Sequence, residues 1–531
     1  MKPIQQIILM CVIAIVTACG TDVEPVAIRV TVFADGLERT YTLDEAVTVE
    51  EFLVQANIEW DDNDRIAPPT YTQILDGTRI TIVRIEEEEV CELEDIPYGT
   101  DIIRNEAFAP DEQVRTRIGQ NGQQRVCYRV VTQDGVQQTR AQVRQPEVIV
   151  EPINEEIVVG VSQEVEPFAI EGTLAYINNG NAWVIQDNSR NKRLLTTTSD
   201  LDSLVLALAP DGRYLLYTRE AQDSESFINE LWLKETSGQR DAVSLNITDV
   251  LLAQWLPDEE NTISYSTGES QEALPGWRAL NNLWVNQIDP ISGNSLGIRR
   301  VRDESIGGLY SWWGTVFRWS PDGDNLAWVE ADGMGLLEED GEQIPLLEYA
   351  SFRVSEGWSW RANISWSWDG ALIATVAHGE PLNNEPPETT PVFDVVIASA
   401  DGSFSGMILE RAGMWASPQF SPQIANPDSP YPQGYLAYLR ARDPDSSVYG
   451  EYDLIVADRD GSNARKLFPP PGQAGITWSD RGITPIEYTW SPDGRMIAVI
   501  HQGDLWVVEV ETGVARQMTF DGGSEHPVWS P

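Results

Sequence analysis

A short phrase of sequence recurs through the C-terminal two thirds of the chain. Residues 490–494 read Trp-Ser-Pro-Asp-Gly, and the apolar residues 496–499 follow them. Proline fixes φ, aspartate can bond its own backbone, and glycine takes the positive φ that a tight turn needs. The phrase therefore predicts a strand, a tight turn and a second strand.

Copies of this phrase define a repeating unit. Around the last full copy, further strands are expected at 505–509 and 515–520, which makes one four-stranded unit. The other copies and weaker versions begin at 209, 255, 319, 366, 420 and 529. An all-β repeat of roughly 40–70 residues indicates a propeller or another radial array, here over residues 172–531.

The two ends of the array are incomplete in complementary ways. Residues 526–531 form a first-strand phrase that no blade follows, whereas residues 172–177 read as a second strand with no first strand before them. Pairing the two fragments would complete one blade and leave no free sheet edge. Counting the first-strand phrases then predicts seven blades.

The repeated phrases resemble the TolB-like, WD-like β-propeller repeat. That resemblance covers most of residues 172–531 and implies the fold, although six blades are usual in TolB-like relatives. It leaves function open, because such propellers serve as binding platforms, peptidase gates and enzymes. Insertions at 268–281, 379–391 and 425–434 are rich in Pro, Asn, Glu and Gly, and we expect them to be exposed loops that carry binding residues.

The first nineteen residues predict export. Lys2 precedes an apolar stretch, residues 4–18, that is about as long as a signal-peptide core and short for a spanning helix. Residues 16–20 read Val-Thr-Ala-Cys-Gly and resemble a bacterial lipobox, which implies that residues 1–19 are a lipoprotein signal and that Cys19 is lipidated. An ordinary signal peptide or an uncleaved anchor is the alternative.

Residues 28–85 predict a small β-grasp-like domain. An Asp-Gly hairpin signal follows a strand at 28–32, and Thr48 with Glu51 fits a helix capping box. The segment resembles the ubiquitin-like domain of secreted cell-wall proteins such as resuscitation-promoting factors. Three acidic residues, Asp61, Asp62 and Asp64, lack the spacing of a calcium loop, so we interpret them as a solvated turn.

Residues 86–161 hold paired glycines between long strands, in the order Ile-Pro-Tyr-Gly at 96–99, Ile-Gly at 118–119, Asp-Gly at 134–135 and Val-Val-Gly at 158–160. This order resembles the five-glycine (G-five) domain, a thin β module of surface proteins that has been linked to glycan binding. The resemblance implies a stalk or a wall-glycan contact for this segment, and we expect residues 162–171 to form a linker.

Cys91 and Cys127 both fall in this thin domain. Export would place them in an oxidising compartment, and a disulfide closing their loop would contribute about 3–4 kcal/mol. Two free thiols are the alternative. A metal site is not expected from two cysteines with no histidine nearby.

Composition narrows the functional classes. The formal net charge is −47, from 36 Lys plus Arg against 83 Asp plus Glu, so nucleic acid and anionic membrane surfaces are poor partners. The 3 histidines, His378, His501 and His526, are far apart and match no catalytic or metal-binding spacing. We expect no cofactor, no metal and no enzymatic activity.

These features together predict a mainly β protein: a β-grasp-like module, a five-glycine-like module and a C-terminal propeller. The expected function is a lipid-anchored, non-enzymatic binding or scaffolding protein of the cell envelope. Its partner would be another envelope protein or a wall glycan. The alternative is a glycan-active enzyme or an accessory subunit of a wall-processing enzyme. The tryptophans at 312, 313, 358 and 360 could stack on sugars, but blade packing is the favoured interpretation.

Replacing the lipidated residue tests the anchor. The variant Cys19→Ala should leave the membrane fraction, because the lipobox-like residues directly precede Cys19. Fractionation followed by a carbonate wash measures this. A variant that still sediments with membranes and resists the wash would place the anchor elsewhere.

Overall fold

The computed structural model describes residues 27–105, 108, 112–161, 166–221, 227–272, 275–306, 311–338, 341–354, 358–425, 433–477 and 487–531. Two compact units divide the chain: Met1–Asp101 with Arg115–Ile157, and Ile102–Val114 with Val158–Pro531. Within the described residues, no helix has the length and apolar character needed to cross a membrane. Cys19 and the predicted signal peptide lie outside the described residues.

The N-terminal domain is a four-stranded mixed sheet with one helix. Its elements are β1 (Ile28–Ala34), β2 (Leu37–Leu43), α1 (Val49–Gln55), β3 (Arg65–Ala67) and β4 (Thr78–Val83). The sheet order is β2-β1-β4-β3, with β1 and β4 parallel. The predicted capping box is confirmed, since Thr48 Oγ1 accepts from Glu51 N and Glu51 Oε2 accepts from Thr48 N. The resemblance to ubiquitin-like domains stays a prediction.

The acidic turn of this domain is not fully solvated, which corrects the sequence interpretation. Asp61 does form a turn, accepting from the amides of Asn63 and Asp64. Asp64, however, is largely buried and pairs with the Arg84 guanidinium at 2.7 Å. Burial alone would raise the pKa of Asp64, but Arg84 and the Ile85 amide bring it below its usual value. The cluster thus contributes an internal ion pair.

The next segment is built from β-strands, two of which are twelve residues long. Its strands are β5 (Ile85–Ile96), β6 (Thr100–Asn105), β7 (Gln113–Arg117), β8 (Gly122–Gln133), β9 (Val136–Gln142), β10 (Glu147–Val150) and β11 (Glu155–Gly160). They form one sheet in the order β10-β8-β5 with β9 also on β8, and a second in the order β6-β11-β7.

Cross-strand pairs hold the larger of these two sheets. β5 and β8 pair over twelve residues each, and few side chains along them are buried. Arginines of β8 and β9 instead meet glutamates of β5, as in Arg129–Glu87 and Arg140–Glu92. Cys91 and Cys127 lie directly opposite each other and are joined by a disulfide.

The second unit contains a succession of antiparallel sheets, which we call blades I to VII. Blade I has β12 (Ala169–Asn178), β13 (Asn181–Asn188) and β14 (Lys192–Leu194); blade II has β15 (Leu201–Leu208), β16 (Tyr214–Glu220), β17 (Asn229–Glu235) and β18 (Val243–Thr248). Blade III has β19 (Val250–Trp255), β20 (Thr262–Ser270), β21 (Trp277–Ala279), β22 (Leu283–Ile288) and β23 (Ser295–Arg302). Blade IV has β24 (Val316–Trp319), β25 (Leu326–Glu330), β26 (Gly333–Leu337) and β27 (Gln343–Glu348), and the two-stranded pair β28 (Arg353–Val354) and β29 (Trp358–Ser359) follows it.

The remaining blades repeat the pattern. Blade V has β30 (Ser365–Trp366), β31 (Leu372–His378), β32 (Phe393–Ser399) and β33 (Ser405–Leu409); blade VI has β34 (Gln419–Phe420), β35 (Tyr435–Ala441), β36 (Tyr452–Asp458) and β37 (Arg465–Phe468). Blade VII has β38 (Tyr488–Trp490), β39 (Met496–His501), β40 (Asp504–Glu509) and β41 (Ala515–Gln517), and β42 (Ser524–Ser530) comes last. Short 3-10 turns occupy Ser311–Trp313, Pro387–Thr389 and Pro444–Ser446.

β42 completes blade I, in the order β14-β13-β12-β42. Thr173 pairs with Ser530, Leu174 with Trp529 and Ala175 with Val528, so the pairing of the two segments expected from the sequence is present. The Ser530 hydroxyl also donates to the Ala209 carbonyl at the end of the first strand of blade II. One sheet therefore joins residues that are more than 340 positions apart.

The repeated phrase forms the same hydrogen-bonded turn each time it is complete. In blade VII, Ser491 Oγ donates to Asp493 Oδ1 at 2.6 Å and accepts from the Met496 amide at 2.9 Å. The equivalent serines Ser320 and Ser367 make the same two bonds, and all three serines are buried. The phrase recurs because this network fixes the step from each first strand to the second.

One expected loop is a hairpin instead. In the insertion at 268–281, Gly268 pairs with Ala279 and Ser270 with Trp277, so β20 is extended by β21 rather than followed by an open loop. Of the insertion at 379–391, the 3-10 turn Pro387–Thr389 is the regular part. In the insertion at 425–434, residues 426–432 lie outside the described residues.

Candidate functional site

Residues from the described first strands of blades I to VII line one cavity of about 600 Å³, here called the channel. Along these strands, the residue immediately before the tryptophan position of the phrase faces the channel. These residues form what we call the inner ring: Ala207, Gln254, Arg318, Ser365, Gln419, Thr489 and Val528. The channel is therefore built from one repeated position with a different side chain in each blade.

The tryptophans that follow the inner ring connect the blades. Trp255, Trp366 and Trp490 each donate their indole N–H to the backbone carbonyl of the inner-ring residue in the preceding blade, at 3.1, 3.0 and 3.3 Å. Their exposed fractions are 8, 7 and 5 %. These three tryptophans thus serve packing between blades, whereas Trp319 and Trp529 are half-buried and line the channel.

The polar inner-ring side chains also reach across blades. Gln254 Nε2 donates to the Phe317 carbonyl at 3.0 Å, and Gln419 Nε2 donates to the Tyr488 carbonyl at 2.9 Å. Ser365 Oγ accepts from the Phe420 amide at 3.0 Å. These bonds hold the lining in a fixed arrangement.

Arg318 is the inner ring's cation. Its side chain is accessible from the channel. The protein atoms around the guanidinium displace water from it, and this desolvation lowers its pKa from the ordinary value. Among the described residues, no carboxylate lies within ion-pair distance of it and no hydrogen bond from its guanidinium is formed. Arg318 is thus an available positive charge in the channel of a chain with 83 acidic residues against 36 basic ones.

A second charged group in the channel is a histidine–glutamate pair. His526 Nε2 lies 2.9 Å from Glu487 Oε1, while His526 Nδ1 is buried and has no partner among the described residues. Burial would lower the pKa of His526, but Glu487, and behind it Glu525 and Asp202, outweigh burial and raise it on balance. Glu487 is the one carboxylate in the described lining, so the channel's acid is already paired.

The other histidines are structural. Both ring nitrogens of His378 lie on backbone carbonyls, those of Ala350 and Thr390, and His501 Nε2 lies on the Ala474 carbonyl. The three histidines belong to blades V, VII and I, and only His526 lines the channel. Among the described residues, the one cluster with metal-ligand chemistry is Glu89, Cys91 and Cys127, whose cysteines are joined as a disulfide.

Of the tryptophans singled out in the sequence, Trp312, Trp313 and Trp360 are not among the residues that line the channel. Trp360 is buried against Phe393, in agreement with the packing interpretation. Trp313 contacts Trp277 edge to face, and the Arg278 guanidinium lies over Trp312. None of the described residues in the three insertions lines the channel. The sequence signal that would have located the lining is the residue preceding each repeated aromatic.

Comparison with known proteins supports two parts of this architecture. Residues 87–162 match the G5 domain family, which confirms the five-glycine expectation for that segment, and residues 463–528 match the dipeptidyl peptidase IV (DPP IV) N-terminal region. No curated protein matches the chain. The chain thus has a match to the G5 domain at 87–162, and its second unit contains the succession of antiparallel sheets expected of a β-propeller.

The solved structures to which this chain shows similarity are remote in sequence. The tricorn protease is 8 % identical over 78 % of this chain, with a TM-score of 0.42, and this chain spans 43 % of its length. A TolB protein described from Agrobacterium tumefaciens is 17 % identical over 62 % of this chain and 96 % of its own, with a TM-score of 0.34. The G5 domain of an IgA1 protease is 15 % identical over 15 % of this chain and 94 % of its own, with a TM-score of 0.12.

The histidine–glutamate pair makes stability depend on pH with a definite sign. The folded pKa of His526 lies above the ordinary value of 6.5, so its contribution is fully present below that value and is lost as pH rises through the folded pKa. The free energy of unfolding of wild type and of His526→Gln can be measured by denaturant titration from pH 5 to 9. The excess of wild type over the variant should be largest at the acid end of this range.

His501 provides a control of opposite sign. Burial lowers its pKa, so wild type should lose stability relative to His501→Gln as pH falls below about 6.5. If the difference in free energy of unfolding between wild type and His526→Gln does not change with pH, the pairing of His526 with Glu487 has no energetic role.

Proposed function

We propose that this protein is a lipid-anchored component of the bacterial cell envelope that binds a partner in the channel of its propeller, without catalysis. The observation that carries the proposal is the channel itself. It has a volume of about 600 Å³, and its lining combines neutral polar side chains with apolar and aromatic ones. That volume lies within the usual range for ligand pockets.

A closed ring of seven blades is part of this proposal. Seven sheets contribute first strands to the channel, and β42 pairs with β12 across the ends of the array. Indole and glutamine bonds between adjacent blades support a lining that is already arranged before binding. A prearranged lining lowers the ordering cost that binding must overcome.

Anchoring and export enter the proposal from the sequence. Lipidation of Cys19 would tether the chain outside the membrane, and the G5 domain at 87–162 would act as a stalk or as a wall-glycan contact. The net charge of −47 disfavours nucleic acid and anionic lipid as partners. An envelope protein or a wall glycan is the expected partner.

One observation favours the alternative, a glycan-active enzyme or an accessory subunit of a wall-processing enzyme. The Glu487–His526 pair lies in the channel, and a histidine with a carboxylate partner can act as a general acid or base. Turnover of wall fragments that His526→Gln abolishes would establish that alternative. We favour binding because the described lining contains no nucleophile paired with this histidine.

Filling the channel tests the proposal. Ala207→Phe places a ring in the lumen, since Ala207 lines it and is partly exposed. Ala464→Phe is the matched control, because Ala464 is exposed and does not line the channel. The immobilised full-length protein should retain a component of an envelope extract, or the protein should bind a glycan on an array. Ala207→Phe should reduce retention at least tenfold, whereas Ala464→Phe leaves it unchanged.

The control measurement is the melting temperature, which should be similar for all three proteins. Retention that is equal in wild type and in a folded Ala207→Phe variant would contradict binding in the channel.

A further inference from the structure

We propose that Arg318 makes the channel a receptor for a single carboxylate, and that this carboxylate is the free C-terminus of a peptide. The inference rests on the proposed function and names the ligand class for the same channel. Its starting point is the contrast between Arg318 and the other partly buried arginines of the propeller.

Several other partly buried arginines of the propeller have acidic partners, and Arg193 and Arg361 donate instead to backbone carbonyls. Arg219 pairs with Asp200 at 2.6 Å, Arg459 with Asp369 at 2.6 Å and Arg302 with Glu330 at 3.4 Å. Arg318 has no such partner among the described residues, although acidic residues outnumber basic ones more than twofold. A desolvated cation without a partner is destabilising, so its place in the lining is explained by a partner that arrives with the ligand.

The channel leaves this charge available. Glu487, the one carboxylate of the described lining, is occupied by His526 at 2.9 Å. Neighbouring inner-ring positions hold Gln254 and Ser365, which are neutral and bonded to backbone groups of adjacent blades. An incoming carboxylate would therefore meet one positive charge, and it would meet no unpaired carboxylate that could repel it. A guanidinium can bind a carboxylate through two parallel hydrogen bonds.

Two observations favour a peptide over an acidic glycan. First, a net charge of −47 repels polyanions at long range, whereas a chain end with one carboxylate meets much less repulsion. Second, the inner ring carries amide side chains at Gln254 and Gln419 and a hydroxyl at Thr489. These side chains match the donors and acceptors of a peptide backbone.

The test compares free and blocked chain ends. Fluorescence anisotropy would measure the binding of N-terminally labelled pentapeptide pools, with either a free C-terminal carboxylate or a C-terminal amide, to the full-length protein. Free-acid pools should bind, and amidation should weaken binding at least tenfold. Arg318→Gln should lose at least tenfold in affinity for the free acid and should no longer distinguish it from the amide.

Matched variants separate this role from a structural one. Arg495→Gln, at an exposed arginine, should bind like wild type. Arg318→Gln should melt no lower than wild type, because it removes an unpaired charge, and Arg318→Lys should restore part of the preference for the free acid.

The contradicting outcomes are distinct. If the acid and amide pools bind equally and Ala207→Phe abolishes both, the carboxylate assignment is wrong, whereas the proposal of binding in the channel stands. If an oligouronate binds and none of the peptide pools does, the peptide assignment is wrong. If no pool binds and Ala207→Phe also leaves envelope retention unchanged, both the inference and the proposed function are wrong.

Discussion

The pairing of β42 with β12 is the constraint on which the propeller depends. Five residue pairs join the two strands, and the Ser530 hydroxyl extends the contact to blade II. Without β42, the edge of β12 would expose unpaired backbone groups toward the first strands of its neighbours. The same strand carries His526 and Val528 into the channel, so the pairing of the terminal segments and the channel lining share one element.

Local and long-range interactions are coupled through the repeated phrase. Its serine, aspartate and glycine fix the turn within each blade, and its tryptophan bonds to the blade before. The residue before the tryptophan is thereby held toward the channel, while its identity varies freely from Ala207 to Arg318. This division lets a constant framework present a variable ring, which is how a propeller can acquire a binding specificity without a change in fold.

Much of this architecture could be predicted from the sequence because it depends on short-range chemistry. The capping box at Thr48, the blade strands around residue 490 and the opposed cysteines Cys91 and Cys127 all follow from local pattern or simple exclusion. The channel could not be predicted in the same way. Glu487 and His526 are 39 residues apart and lie in different blades, and the lack of a partner for Arg318 is a property of the whole lining. The hairpin of β20 and β21 and the buried pair of Asp64 with Arg84 were missed because composition alone does not reveal a tertiary partner.

The central claim is that the ring is completed by its terminal strands, and removal of residues 526–531 tests it most directly. Hydrogen exchange of β12, with a thermal melt of the propeller, would compare the full chain with the shortened one. The account predicts that amides of residues 173–177 lose protection and that the free energy of unfolding falls by at least about 3 kcal/mol, since several strand hydrogen bonds and the packing of β42 are lost. Unchanged protection and an unchanged melt would contradict the account.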